Sequence, residues 1–308
     1  MMAKTFYGME ELLVAELKQL GAVDVSKGNR LVHFTGDKGF MYKANLCLRT
    51  ALKILKPIFQ FRAENESVLY EKLYHYDWST LLSPDQTFAI DSVVHGNVFN
   101  HSLYVSQRCK DALVDRFRKD YGKRPTVDTR HPDIRFHLHI FDQKCSLSID
   151  TSGRSLHHRG YRSLTNIAPI NEVLAAGIIM LSNWDQTTDF LDPMCGSGTF
   201  LIEAAMMACK IPANINRNIF AFEKWNDWDE TLFDKIKSSK LNGVVSPAGK
   251  IYGFDKAPSA IEKSITSIKN AALEDFVQVN SKYFSLYCLE NVLSIIMTPR
   301  LSNLVGNF

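Results

Sequence analysis

The chain has 308 residues, 45% of them apolar, and a net charge of +3. Such a length allows two or three domains, and the ordinary globular composition excludes a disordered or low-complexity chain. So mild a charge permits nucleic-acid binding without arguing for it, and any basic patch has to be sought locally.

The six cysteines, Cys47, Cys109, Cys145, Cys195, Cys209 and Cys288, make no CxxC pair, so reduced thiols are expected. The opening MMAKTFYGMEELL lacks the apolar run of a signal peptide, and no stretch approaches a membrane span. These features lead us to expect a soluble cytoplasmic protein.

From the N-terminus, Leu12, Leu13, Ala15, Leu17 and Leu20 have helical spacing, and Gly21 is a natural stop. Residues 31–34 read as a strand, 40–48 as a second helix and 53–61 as a further strand. This alternation suggests a small α+β layer. Residues 87–94 are strand-like, and 102–121 form a helix with Leu103, Val105, Cys109, Ala112, Leu113 and Phe117 on its apolar face. The other face carries Arg108, Lys110, Arg116, Arg118 and Lys119, with Lys123 and Arg124 just beyond. A solvated face diluted by Asp111, Asp115 and Asp120 and an RNA-contacting face explain this pattern about equally well.

Residues 134–141 alternate, with Arg135, His137 and His139 on the polar side, and residues 147–150 continue the alternation as a hairpin. The two histidines share a face, but no further ligand stands at metal spacing, so no metal site is expected. The polar, basic tract 152–162, SGRSLHHRGYR, reads as a linker.

The second half changes character. An apolar helix at 171–181, a short strand at 189–192, a helix at 199–209, a strand at 250–254, a helix at 257–272 and a strand at 276–279 form the pattern of a parallel, doubly wound sheet. Between its first strand and helix lies Pro193-Met194-Cys195-Gly196-Ser197-Gly198. Two glycines permit a sharp turn and close approach of a ligand, and the helix start supplies free N–H groups. The third glycine of a dinucleotide fingerprint is missing, which argues against an oxidoreductase, and Asp192 just before the loop would repel a pyrophosphate. A zwitterion such as S-adenosylmethionine suits it better. Asp255 ends the next strand, where an acid can hold ribose hydroxyls. The intervening insert, about 211–246, contains Phe220, Phe222, Trp225 and Trp228 and is expected to be a helical cover packed on the sheet.

These segments resemble the THUMP-containing 23S rRNA guanine-N2 methyltransferases. The resemblance rests on Gly8 to Leu13, Lys110 to Asp115, the hairpin 136–152, Gly160-Tyr161-Arg162, Ala168 to Ala176, and above all LDPMCGSGTFLIEAAMMA at 191–208. It implies a ferredoxin-like segment over residues 1–55, a THUMP RNA-binding domain over 56–155, and a Rossmann-like methyltransferase domain over 160–308. It implies methyl transfer from S-adenosyl-L-methionine to an exocyclic base nitrogen, guanine N2, of structured RNA, with 23S rRNA as the partner and no obligate protein partner. The implied cofactor residues are Asp192, Pro193, Met194, Cys195, Gly196, Ser197, Gly198, Thr199 and Asp255, with Ala168 and Pro169 as a covering loop. The basic residues Arg108, Lys110, Arg116, Lys119, Lys123, Arg124, Arg135, Arg159 and Arg162 are the candidate RNA contacts, and residues 1 to about 155 are expected to form a separable RNA-binding unit.

One departure stands out. The family's catalytic Asn-Pro-Pro-aromatic motif would hold the base amine and stack the base. None of the ten prolines follows an Asn and no two are adjacent, so no catalytic residue is assigned. Residues after Phe284 read as foreign to the family, and a truncation or frameshift after about 284 is the expectation. A non-catalytic RNA-binding protein and a DNA amino-methyltransferase stand as alternatives.

Overall fold

In the computed structural model the described residues are 1–162 and 169–281, together with the backbone of 294 and 295. The N-terminal half is built on one eight-stranded sheet, ordered β2-β3-β1-β4-β8-β7-β5-β6. Its strands are β1 (Met2–Lys4), β2 (Val23–Lys27), β3 (Leu31–Thr35), β4 (Lys53–Arg62), β5 (Thr87–His95), β6 (Thr126–Val127), β7 (Ile134–Phe141) and β8 (Lys144–Asp150). Four helices, α1 (Glu10–Leu20), α2 (Lys38–Cys47), α3 (Glu66–Tyr74) and α4 (Ser102–Tyr121), belong to the same half.

Period-two burial explains the sheet. Ile134, Phe136, Leu138 and Ile140 are buried, while Arg135, His137 and His139 occupy the alternate positions of β7. α1 buries Leu13 and Leu17, one turn apart, and stops at Gly21 with φ +95°. α4 buries Val105, Cys109, Ala112, Leu113 and Phe117 as its spacing predicts, but Leu103 is 64% exposed and leaves the apolar face.

Residue 55, the expected first boundary, lies inside β4. That strand pairs with β1 on one side and with β8 on the other. The ferredoxin-like and THUMP-like strands therefore share one sheet and one core.

The C-terminal half is a parallel sheet in the order β11-β10-β9-β12. Its strands are β9 (Phe190–Asp192), β10 (Ile251–Asp255), β11 (Val277–Ser281) and β12 (Ser294–Ile295). Its helices are α5 (Glu172–Leu181), α6 (Thr199–Ala208) and α8 (Pro258–Asn270), while α7 (Glu230–Leu241) lies in the insert. The chain runs from β9 outward to β11 and then returns to pair β12 against the other side of β9. The order therefore reverses beside β9, which places a ligand crevice outside its carboxyl end. Where the sequence offered three strands, the structure has a fourth.

Among the described residues, only the start of the insert, Ile211 and Ile215, packs on the core of this half. Phe220, Phe222 and Trp225 belong to the core of the N-terminal half, with Trp228, Leu232, Phe233 and Ile236 packed against it. The Tyr42 ring of α2 lies 4.5 Å from Phe222 and 5.1 Å from Trp228. The aromatic residues are thus core-forming, as expected, but against the opposite half of the molecule. A unit ending near residue 155 would lack part of its own core, so the expectation of a cleanly separable N-terminal unit does not fit the packing.

Candidate cofactor site and the clamp behind it

The loop after β9 turns sharply because two residues adopt left-handed backbone, Gly196 at φ +56° and Gly198 at φ +77°. Its backbone is tied down at several points. The Cys195 N–H donates to Phe254 O of β10 at 2.9 Å and the Gly198 N–H to Cys195 O at 2.8 Å. The Met194 N–H donates to Asp192 Oδ1 at 3.1 Å. The Gly196 N–H donates to Asp255 Oδ2 at 3.0 Å, and the Ala257 N–H donates to Asp255 Oδ1 at 2.9 Å. The loop and Asp255, distant in sequence, thus meet at one strand end, and Asp255 also fixes the loop's shape.

Room for a ligand exists on one side only. A Cβ built on Gly196 meets nothing within 4 Å, whereas one on Gly198 would lie 2.4 Å from Ser264 Oγ. Gly198 serves helix packing and Gly196 faces open space. Asp192 is fully buried, and its Oδ2 has no hydrogen-bond partner among the described residues. Burial pushes its carboxyl up to about 7, with the Asp255 charge adding to the rise. A buried acceptor in that state is matched by a cationic donor from a ligand. Pro193, Ser197 and Thr199 are buried parts of the same turn, and Pro169 lies just before α5, half-buried. Ala168 lies outside the described residues.

The expected RNA-contacting residues divide into two groups. Arg108 stacks over the Tyr70 ring at 4.6 Å, and Lys119 lies 5.8 Å from the Tyr74 ring centroid. Lys110 pairs with Asp111, Arg116 with Asp120, Lys123 with Asp85 and Arg135 with Asp91, at 2.5–3.0 Å. Arg124 is exposed. These residues belong to the N-terminal half, and their partial pairing keeps the solvated-face reading alive.

Arg159 and Arg162 do not belong with them. Arg159 is 1% exposed, which is incompatible with a surface contact. Its guanidinium donates to Glu203 Oε1 at 3.3 Å, Leu48 O at 3.4 Å, Leu156 O at 3.1 Å, Asn214 Oδ1 at 3.1 Å and Arg49 O at 2.6 Å. The partners come from the N-terminal half, the linker, the insert and the middle of α6. Tyr161 Oη donates to the same Glu203 oxygen at 3.2 Å, and Arg49 donates to Met206 O and Ile211 O. Arg217 of the insert donates to four linker carbonyls, those of Ser152, Arg154, Ser155 and His158. The expected linker is a clamp.

Arg162 sits beside the loop. It donates to Thr199 Oγ1 at 2.6 Å and Ile170 O at 3.2 Å, and pairs with Glu172 Oε1 at 3.3 Å. Sequence reasoning missed Glu203 and Glu172. Glu203 carried a visible signal, a lone charge in the otherwise apolar TFLIEAAMMA, all ten of whose residues are buried. His137, half-buried at one of the alternate polar positions of β7, has Nε2 2.9 Å from Lys4 Nζ, and burial followed by the Lys4 charge lowers its pKa to about 4.

Comparison with known proteins agrees with this geometry. Three family models match in succession: a RlmL ferredoxin-like domain over residues 1–55, a THUMP domain over 63–150 and an RMKL-like methyltransferase domain over 159–299. The last match continues beyond Phe284, so the residues up to 299 are not foreign to the family, which corrects the sequence reading.

A ribosomal RNA large subunit methyltransferase K/L from Desulfotalea psychrophila is 38% identical over 287 residues, 90% of this chain and 40% of that protein. The chain thus spans less than half the length of this curated relative. The solved structure of SMU.472, described as a methyltransferase in complex with SAH, is 29% identical, covers 97% of this chain and 79% of its own, and superposes with a TM-score of 0.84. A Listeria monocytogenes protein described as an N6-adenine-specific DNA methylase is 26% identical, covers 96% and 77%, and has a TM-score of 0.85. With the ferredoxin-like, THUMP and methyltransferase parts matched in order, the chain belongs to the THUMP-bearing, RMKL-like methyltransferase family.

Proposed function

We propose that the chain is an S-adenosylmethionine-dependent RNA methyltransferase of the cytoplasm, acting on 23S rRNA at an exocyclic base nitrogen, guanine N2. The observation that carries this reading is the β9–α6 turn, with its open Gly196 and its buried, unpartnered Asp192 oxygen. The relatives support it: one is a large-subunit rRNA methyltransferase and another was solved with SAH.

The residues present fit the cofactor. Asp192 offers a buried acceptor to its ammonium group, and Asp255 keeps lone pairs for ribose hydroxyls beside its two backbone bonds. Loop 193–199 supplies close backbone approach, and the family resemblance gives Ala168 and Pro169 the role of covering the cofactor. When bound, the cofactor supplies an electrophilic methyl group. The α4 cations and Arg135 bind RNA phosphates without reading sequence. No Asn-Pro-Pro run occurs in these 308 residues, so no side chain of this chain is assigned to hold the acceptor amine in line.

Two measurements test the reading. Calorimetry should show S-adenosylmethionine binding that Asp255→Asn weakens; no heat from the folded chain would sink the cofactor assignment. With tritiated cofactor and unmodified 23S rRNA, the 308-residue chain should incorporate far less label than the Desulfotalea relative, and comparable rates would overturn the account of the missing motif. The Listeria likeness favours a second reading, DNA amino-methylation, which predicts label in duplex DNA and none in RNA. Filter binding of RNA should weaken steeply with salt, and salt-independent affinity would remove the phosphate contacts.

A further inference from the structure

Resting on the cofactor reading above, we infer that Arg162 is a cofactor-binding residue that takes the α-carboxylate of the methionyl group, so that the loop reads both ends of an amino-acid zwitterion.

Arg162 lies where the N-termini of α5 and α6 converge, bonded to Thr199 Oγ1 at the first residue of α6 and paired with Glu172 at the first residue of α5. Two helix N-termini and a guanidinium make this spot positive. Its side chain is 13% exposed, so it is held rather than solvated. Among the described residues its contacts engage three of its five N–H donors, two on Nη2 and one on Nη1, and there Nε–H and one Nη1–H have no partner and can take a ligand oxygen.

A second, independent feature points to a ligand. Asp192, on the strand leading into the same turn, and Glu172 each bury one carboxylate oxygen with no hydrogen-bond partner among the described residues. Their relative exposures are 0% and 2%. Burial raises the Glu172 carboxyl, with Arg162 pulling the other way. A fixed cation at one side of the turn and a buried, unfilled acceptor at the other suit a ligand carrying an ammonium and a carboxylate on one carbon. A purely anionic ligand would leave Asp192 unmatched, and a purely cationic one would leave Arg162 and the helix ends unmatched.

Sequence reading places Arg162 among RNA contacts. Its hydrogen bond to the first residue of α6 and its burial place it at the turn instead.

The test compares two ligands on the full chain. S-adenosylhomocysteine carries the α-carboxylate and α-amine, and 5′-methylthioadenosine carries neither. Arg162→Gln should weaken S-adenosylhomocysteine by about 10- to 100-fold, the range for a charge-assisted hydrogen bond, and leave methylthioadenosine affinity unchanged. Arg162→Lys keeps the charge without the fork and should show a smaller loss, again confined to S-adenosylhomocysteine; it is the variant to measure if the glutamine form does not fold. Equal losses for both ligands, or no loss for either, would overturn the inference while the cofactor reading stands. If the folded wild-type chain binds neither ligand, the cofactor reading itself fails.

Discussion

Replacing Arg159 by Met should cost about 3–5 kcal/mol of stability, the usual consequence of removing one partner of a buried ion pair. Arg159 and Glu203 both have fully buried side chains. Methionine fills the length but donates nothing, so among the described residues Glu203 keeps the Tyr161 hydroxyl as its one hydrogen-bond donor, and the Arg49 carbonyl loses its 2.6 Å donor. Most of the cost should come from the orphaned carboxylate rather than from the carbonyls. The double variant Arg159→Met, Glu203→Met should therefore recover much of the loss, because removing both charges removes the desolvation penalty too. Urea denaturation followed by tryptophan fluorescence reads both halves, since Trp184 packs in the C-terminal core region and Trp78 in the N-terminal one. Arg124→Met, at an exposed position, is the control and should stay within about 0.5 kcal/mol. An Arg159→Met chain within about 1 kcal/mol of wild type would refute the clamp, and a double variant no better than the single would refute the orphaned charge as its cause.

Two further outcomes follow from the turn. The Asp192 carboxyl stands at about 7 in the folded chain against an ordinary 3.8, so between those values the folded state holds a proton that the unfolded state has released, and stability should fall as pH rises from about 4 to about 7. Asp192→Asn should flatten that part of the profile, and urea midpoints at pH 5 and pH 8 that change in parallel for both chains would exclude Asp192 as the group responsible. Gly196→Ala places a side chain in open space at φ +56°, costing about 1 kcal/mol for the left-handed backbone but obstructing the ligand. Gly160→Ala would put Cβ 1.9 Å from Asn216 O at φ +103° and should destabilise the chain more, with cofactor affinity kept in whatever folds. Thermal shift and calorimetry that gave the reverse order would show that the two glycines have been misassigned.

The parts legible in the sequence are those where burial imposes a period. α4 shows its helical face directly, and β7 its alternation. The cofactor turn was legible for a different reason, because a strand-end acid followed by closely spaced glycines and a helix has few other uses. Elements that bury little were missed. α7 has no fully buried residue, with Leu232, Phe233 and Ile236 half-buried against the core, so its bounds leave no mark in the sequence, and β2 is nearly all exposed and carries no pattern. α3 buries only Leu69 and Leu73. The destination of the insert was not legible either, since Phe220, Phe222 and Trp225 announce burial without saying against which half. Arg159 failed most instructively. In SGRSLHHRGYR it is one cation among several, and only the tertiary arrangement of carbonyls from Leu48, Arg49 and Leu156 makes it internal.

The clamp and the turn meet on one element. α6 begins at Thr199, capped by Gly198 of the cofactor turn, is held through Glu203 by Arg159 and Tyr161 at mid-length, and offers the Met206 carbonyl to Arg49 near its end. Since every residue of α6 is buried, it cannot shift independently of its surroundings in a close-packed interior. Arg159 of the linker is bonded to Arg49 and to the insert residue Asn214, and Arg49 in turn to Ile211 just beyond this helix. A rotation of the N-terminal half must therefore either break several buried hydrogen bonds or carry α6 along, and with α6 the Thr199 hydroxyl that receives Arg162. On the proposed function, RNA gripped through its phosphates by the N-terminal half would meet the turn in an orientation that the fold fixes, which serves near-attack geometry.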